Sequence, residues 1–167
     1  MFDSVSTDIP ISQGDIIDRC PIFRLLPENV AVDLNASPDR LLIRGIIPTQ
    51  ACDIAQEKTT RIVIAQVYPA KFVVESNILS ASVVRDRMTR GLVYGWYFFP
   101  ASKSPEIPES VIDLRDLHTI HRSIIQRLVA GGNRVARFVT PYREHLAQQF
   151  SVTYSRIGLP EPYVSEP

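Results

Sequence analysis

Residues Leu41–Asp53 read L-L-I-R-G-I-I-P-T-Q-A-C-D, and Arg61–Val67 read R-I-V-I-A-Q-V. Both are short, apolar, β-branched runs bounded by turn residues, which is the signature of strands buried in a sheet. Pro48 ends the first run abruptly, and Thr49, Gln50, Ala51, Cys52 and Asp53 follow on the connection to the second. Connections at strand ends are where a rigid scaffold presents functional side chains. The bend at 49–53 is therefore the first candidate site.

Outward from this pair, the pattern predicts a mixed, mainly β chain. Residues 1–10 carry no periodicity and read as a flexible lead. A Gly14-Asp15 turn opens a strand from about Asp15 to Arg19, Pro21 interrupts it, and a second extended piece runs from Ile22 to Leu26. Asn, Asp, Ser and Pro recur over 27–40, which reads as an exposed loop or edge hairpin. The three- and four-residue spacing of Ile78, Leu79, Ser82, Val83, Asp86, Arg87 and Arg90, with Gly91 behind it, predicts an amphipathic helix. Leu92–Phe99 is aromatic and β-prone, residues 101–109 read as a loop, and Val111–Leu114 as a short strand. Leu117–Val129 reads as a strand followed by a helical turn or, with Ile120, Ile124, Ile125 and Leu128 at helical spacing, as a helix, which fits better. The clearest helix is the last. Thr140 is placed to cap it, Pro141 suits its first position, and Tyr142, Leu146, Phe150, Tyr154 and Ile157 share one face up to Gly158 and Pro160. Residues 161–167 read as a flexible tail, leaving 11–160 as one globular domain.

At 167 residues and 45% hydrophobic content, the chain can bury one sizeable core. Eighteen basic residues balance eighteen acidic ones, so no global field draws it to nucleic acid or to an anionic membrane. Lys58, Lys71 and Lys103 are the only lysines; the excess of Arg suits bidentate contacts with carboxylate or phosphate, or reflects a GC-rich genome. The start M-F-D-S-V-S-T-D has no signal-like core, and no apolar run approaches a membrane span. A cytoplasmic location follows as the expectation, with Cys20 and Cys52 as reduced thiols.

Several groups are candidates for chemistry. Cys52 beside Asp53 is a nucleophile if a cation lowers its pKa and His118, His121 or His145 serves as base; otherwise it is a small residue at a strand end, with Asp53 capping a turn. His118 and His121 with both cysteines would make a tetrahedral zinc set, yet neither cysteine sits in a Cys-x-x-Cys pair. No metal or cofactor is expected. Arg143 and His145 begin the last helix on its polar side and offer a recognition surface, or a solvated face held by local ion pairs. Arg85, Arg87 and Arg90 lie close in sequence to Trp96 and Tyr97, a combination that stacks on single-stranded bases or, in the plainer reading, packs the core. Asp15 is an acid for a site or a turn cap.

Two resemblances add to this. Q-G-D-I at Gln13–Ile16, T-Q-A-C-D-I at Thr49–Ile54 and P-Y-R-E-H-L-A-Q-Q-F with R-I-G-L-P near the end resemble a widespread group of uncharacterised bacterial and phage-associated proteins. The order Gly-Asp, then an Arg within an apolar strand, then a second apolar strand, is similar to the PemK and MazF family, which has an SH3-like β-barrel and includes ribonuclease toxins. That likeness implies a catalytic role for Arg44. The family's hydroxyl residue has no counterpart in Tyr68-Pro69-Ala70, and its Arg-Pro pair is Arg44-Gly45 here.

The expectation is thus an α+β, mainly β chain: a small SH3-like bent barrel or half-barrel of about five or six strands with two or three helices, the last amphipathic. Its expected role is a non-catalytic binding or regulatory module in a phage-related, defence or toxin-antitoxin setting. Its partner would be a protein encoded nearby, with RNA and a second copy of the chain as other partners and no membrane. The rivals are a MazF-like endoribonuclease using Arg44 with Gln50 or Asp53, and a cysteine hydrolase using Cys52. Asp15, Gln50, Arg143 and His145 are the expected binding residues.

Overall fold

The computed structural model describes residues 1–24 and 38–155. The tail 161–167, the helix stop at Gly158 and Pro160, the face position Ile157 and most of the 27–40 loop lie outside the described residues. Strands are β1 (Phe2–Asp3), β2 (Asp15–Arg24), β3 (Asp39–Ile46), β4 (Arg61–Pro69), β5 (Trp96–Phe99), β6 (Ser102–Lys103), β7 (Glu106–Ile107), β8 (Ser110–His121) and β9 (Arg134–Phe138). Helices are α1 (Ala51–Ala55), α2 (Ala70–Glu75), α3 (Arg122–Ala130) and α4 (Tyr142–Tyr154).

Seven strands form one sheet in the order β1-β9-β2-β3-β4-β8-β5, and β6 pairs with β7 separately. Each pairing in the large sheet is antiparallel. The chain is mainly β, as the pattern predicts, and in place of the expected bent barrel or half-barrel it forms an open sheet with β1 and β5 at its two ends. The bend is nonetheless strong: the rings of Phe2 on β1 and Phe99 on β5 meet edge to face with centroids 5.5 Å apart. Aromatic packing joins the two ends where backbone hydrogen bonds do not.

Among the described residues, three register irregularities lie along the bent sheet, one of them between β2 and β9 at Ile16/Ile17. The β2–β3 register slips between Ile17 and Cys20, with Arg19 at a φ of 61°. In β8, Leu114, Arg115 and Asp116 are extra, because Ala65 faces Leu117 while Gln66 faces Asp113. Bulges of this kind bend a strand and increase its twist. Gly45 marks the tightest approach, since a Cβ there would lie 2.2 Å from Ile64 Cγ2.

The core follows the strand alternation. One face gathers Ile16, Ile46, Ala65, Ile112, Phe99 and Phe138, with Leu146 of α4 packed on it. The other is divided: Ile17, Cys20, Ile43, Ile62 and Ile64 pack under Ile125 and Val129 of α3, and Trp96 and Val111 pack with Ala70, Val73, Val84 and Met88.

Several local expectations are corrected. Of the helix predicted at 77–90, residues 81–90 are helical, with a π-helical turn at Val83–Arg87 and a 3-10 turn at Met88–Arg90. Val111–Leu114 is the first part of a twelve-residue strand. Pro21 does not break β2, because β9 covers that strand only at Asp15–Ile17 and leaves the outer edge beyond it free for a residue without an N–H. Thr140 does not cap α4; its hydroxyl donates to Glu144 Oε1 at 3.1 Å instead. The lead 1–10 is packed: Phe2 and Asp3 pair with β9, and Arg134 holds the carbonyls of Ser6, Ile9 and Pro10.

Candidate functional site

The bend at 49–53 is tied to the sheet on both sides. Val63 N donates to Thr49 Oγ1 at 3.2 Å, and the buried Gln13 Nε2 donates to Pro48 O at 2.9 Å. The Q-G-D-I and T-Q-A-C-D segments therefore meet in space, with Gly14 N bonded to Ile47 O and Ile47 N to Asp15 O. Cys52 is exposed on the short helix α1, and its thiol faces Gln50 Oε1 at 3.7 Å and Asp53 Oδ1 at 3.8 Å. Asp53 also pairs with Lys58 at 3.3 Å. Gln50 and Asp53 line a hollow of about 260 Å³ beside Ala147 and Phe150 of α4.

The three imidazoles are placed elsewhere. His121 caps α3, with Nδ1 accepting from Ser123 N. His118 lies beside Asp116, and His145 beside Tyr97. None bonds to Cys52 among the described residues, so the thiol has no assembled base.

Arg44 is held by Asp18, with Nε to Oδ1 at 2.5 Å and Nη2 to Oδ2 at 2.8 Å. That bidentate bond and the charge of Asp18 raise the guanidinium pKa further against the cost of partial burial. The donor fork that would grip a scissile phosphate is occupied.

Asp15 is fully buried. It receives Ser12 N at 3.0 Å, Arg134 Nη1 at 3.1 Å and Arg137 Nε at 2.6 Å. Its position fastens the lead segment to β9. Arg143 pairs with its neighbour Glu144 at 2.7 Å, which holds that exposed carboxyl below the usual carboxylate range.

The largest convergence of polar side chains is one that the sequence does not reveal. β5 covers β8 only at Ser110–Asp113, and β9 covers β2 only at Asp15–Ile17. Among the described residues, the far halves of β2 (Cys20–Arg24) and β8 (Leu117–His121) each keep one edge without a strand partner. Pro21, Ile22 and Phe23 from one edge, and Leu117–His121 from the other, border a single groove of about 530 Å³, with Arg61 beside them. At its end Arg24 reaches across: Nη2 donates to Gln66 Oε1 at 2.9 Å and to Asp116 Oδ2. Tyr68 Oη donates to the same carboxylate oxygen at 3.4 Å, and His118 Nε2 lies 3.2 Å from Asp116 Oδ1. Burial lowers the His118 pKa and Arg24 lowers it further, while Asp116 opposes both. Burial likewise raises the pKa of Tyr68. The five side chains come from three strands and span residues 24 to 118; only the β8 bulge, which presents Asp116, brings them together.

A second site lies beside α4. His145 Nδ1 and Tyr97 Oη are 3.2 Å apart, and the two rings meet edge to face. Burial pushes the Tyr97 hydroxyl up to about 12. These residues line a pocket of about 400 Å³ with Arg90, Trp96, Tyr142 and Gln149. Of the expected arginine and aromatic combination, Arg90, Trp96 and Tyr97 are thus brought together.

The described residues contain no cluster of three or more metal-ligating side chains, and no helix among them is long and apolar enough to cross a membrane. No protein-family model matches the chain, and no curated protein matches it.

Proposed function

We propose that the chain is a non-catalytic binding module, built on an SH3-like bent sheet of the PemK/MazF kind, which receives an extended segment of a protein partner along the groove between β2 and β8. The observation that carries this reading is the pair of uncovered strand edges bordering one groove. Unpaired edge N–H and C=O groups are a template for an added strand. Phe23, 64% exposed, supplies an apolar anchor at the rim, and the exposed Arg61 beside the groove favours an acidic segment. The resemblance to phage-associated and toxin-antitoxin proteins supports a partner encoded nearby. Neither enzymatic reading draws comparable support: Asp18 occupies Arg44, and Cys52 faces two oxygen acceptors rather than an imidazole.

The test is hydrogen exchange with a synthetic peptide alternating Glu and Val. Added peptide should slow exchange of amides within Leu117–His121 and at Phe23, and Phe23→Glu should abolish the effect. Unchanged exchange there, or RNA cleavage lost in Arg44→Ala, would overturn the proposal.

A further inference from the structure

The pocket beside α4 has no part in the groove between β2 and β8, and its chemistry points to a small ligand. We infer that it binds a planar, hydrogen-bonding heterocycle carrying negative charge, in its simplest form a nucleoside monophosphate.

The argument begins with size and walls. A cavity of about 400 Å³ lies in the range that ordinarily holds one small ligand. Tyr142, 37% exposed, offers it an aromatic face on which a flat ring can stack. Tyr97 is 5% exposed and Trp96 6%, so these two rings border the pocket as fixed parts of the core. Arg115 lies over the Trp96 ring, its Cζ 5.0 Å from the ring centre, and holds it further.

The polar groups are few and available. Tyr97 engages His145 through Nδ1, which leaves Nε2 without a protein partner among the described residues. The Gln149 amide and the Arg90 guanidinium likewise make no hydrogen bond or ion pair with another described residue. An amide presents one donor edge and one acceptor edge, the complement of a purine or pyrimidine edge. A guanidinium suits a phosphate. Among the described residues no carboxylate lines the pocket, so none of them repels an anion there. An aromatic face, an unpaired amide and an unpaired cation with no opposing acid among the described residues select an anionic heterocycle over a neutral apolar molecule or a cation.

The ligand could be a free mononucleotide or the terminal nucleotide of a single strand, which offer the same ring and charge. Trp96 is the chain's one tryptophan, so its fluorescence reports on the pocket directly. The experiment titrates the intact chain with the common nucleoside 5′-monophosphates, inorganic phosphate, ribose 5-phosphate, a short single-stranded RNA and a tripeptide with a central Phe. Equilibrium dialysis runs in parallel to detect binding that leaves the emission unchanged. The expected result is saturable binding of at least one monophosphate, with inorganic phosphate and ribose phosphate far weaker. Gln149→Ala and Arg90→Ala should each weaken it about tenfold, while the emission of the free variants matches that of the parent. Binding of the RNA alone, with the same sensitivity to both substitutions, supports the strand end as the source. Absence of saturable binding by either method overturns the inference, as does binding indifferent to both substitutions. Equal affinity for the Phe peptide overturns it in favour of a partner's aromatic side chain. Each of these outcomes leaves the exchange experiment on the β2–β8 groove unaffected.

Discussion

Arg24 and Asp116 stand 92 positions apart and meet across the gap between β2 and β8, two strands that are not paired in the sheet of the described residues. Their contact draws Gln66, Tyr68 and His118 into one network. Among the described residues the bent sheet is thus closed on this side by side chains, which makes the closure separable by mutation from the strand ladder.

Both partners are 32% exposed, so the charge-assisted bond is partly screened and contributes about 1 kcal/mol rather than its full buried value. Arg24→Met and Asp116→Asn should each lower the urea midpoint by a corresponding amount. The double variant should cost less than the sum of the two, because the bond can be lost only once. Strict additivity in urea unfolding would mean that the contact does not hold the seam.

Asp15 presents a sharper case. The Arg134 side chain is 1% exposed and Asp15 fully buried, so Asp15→Ala strands a buried guanidinium. A loss of about 3–5 kcal/mol is expected. Limited proteolysis should then cut within 1–12, since Arg134 and Arg137 hold the carbonyls of Ser6, Ile9 and Pro10. An intact lead and a small change in urea midpoint would count against this role.

His118 gives the protein a pH signature of defined sign. Its folded pKa lies below the ordinary value of 6.5, first because burial disfavours the imidazolium and then because Arg24 stands nearby. The unfolded chain therefore binds the proton more readily, and this contribution to stability is present above about pH 6.5 and is lost as pH falls through the folded pKa. His118→Gln should flatten the dependence of the urea midpoint on pH below about 6.5. An unchanged slope would remove His118 as its source.

The two thiols should separate cleanly. Burial pushes Cys20 up to about 12, whereas Cys52 is exposed on α1. A thiol reagent should titrate one group in the folded protein and the second only in denaturant. Cys52→Ser should leave no reactive thiol in the folded state.

Strand and helix identities were written locally. The apolar runs at Leu41–Ile46 and Arg61–Val67 are strands because β-branched residues pack well on a pleated, buried surface. Trp96–Phe99 and the helix after Pro141 follow from equally short windows. The full length of β8 was not legible, because its bulge at Leu114–Asp116 inserts Arg and Asp where a continuous alternation would place core residues. The lead 1–10 carries no pattern either. Its order comes from Arg134, more than a hundred residues away.

The candidate site divides in the same way. The sequence by itself determined that the bend at 49–53 would follow a buried strand and that Tyr97, Arg90 and His145 were worth attention. Only the tertiary structure decided that Asp18 neutralises Arg44, that the histidines stand away from Cys52, and that Arg24, Gln66, Tyr68, Asp116 and His118 converge. The physical reason is that a strand's side-chain pattern records which face is buried, while the partner across a sheet depends on register and bulges. Those are fixed by packing over the whole chain rather than by any window within it.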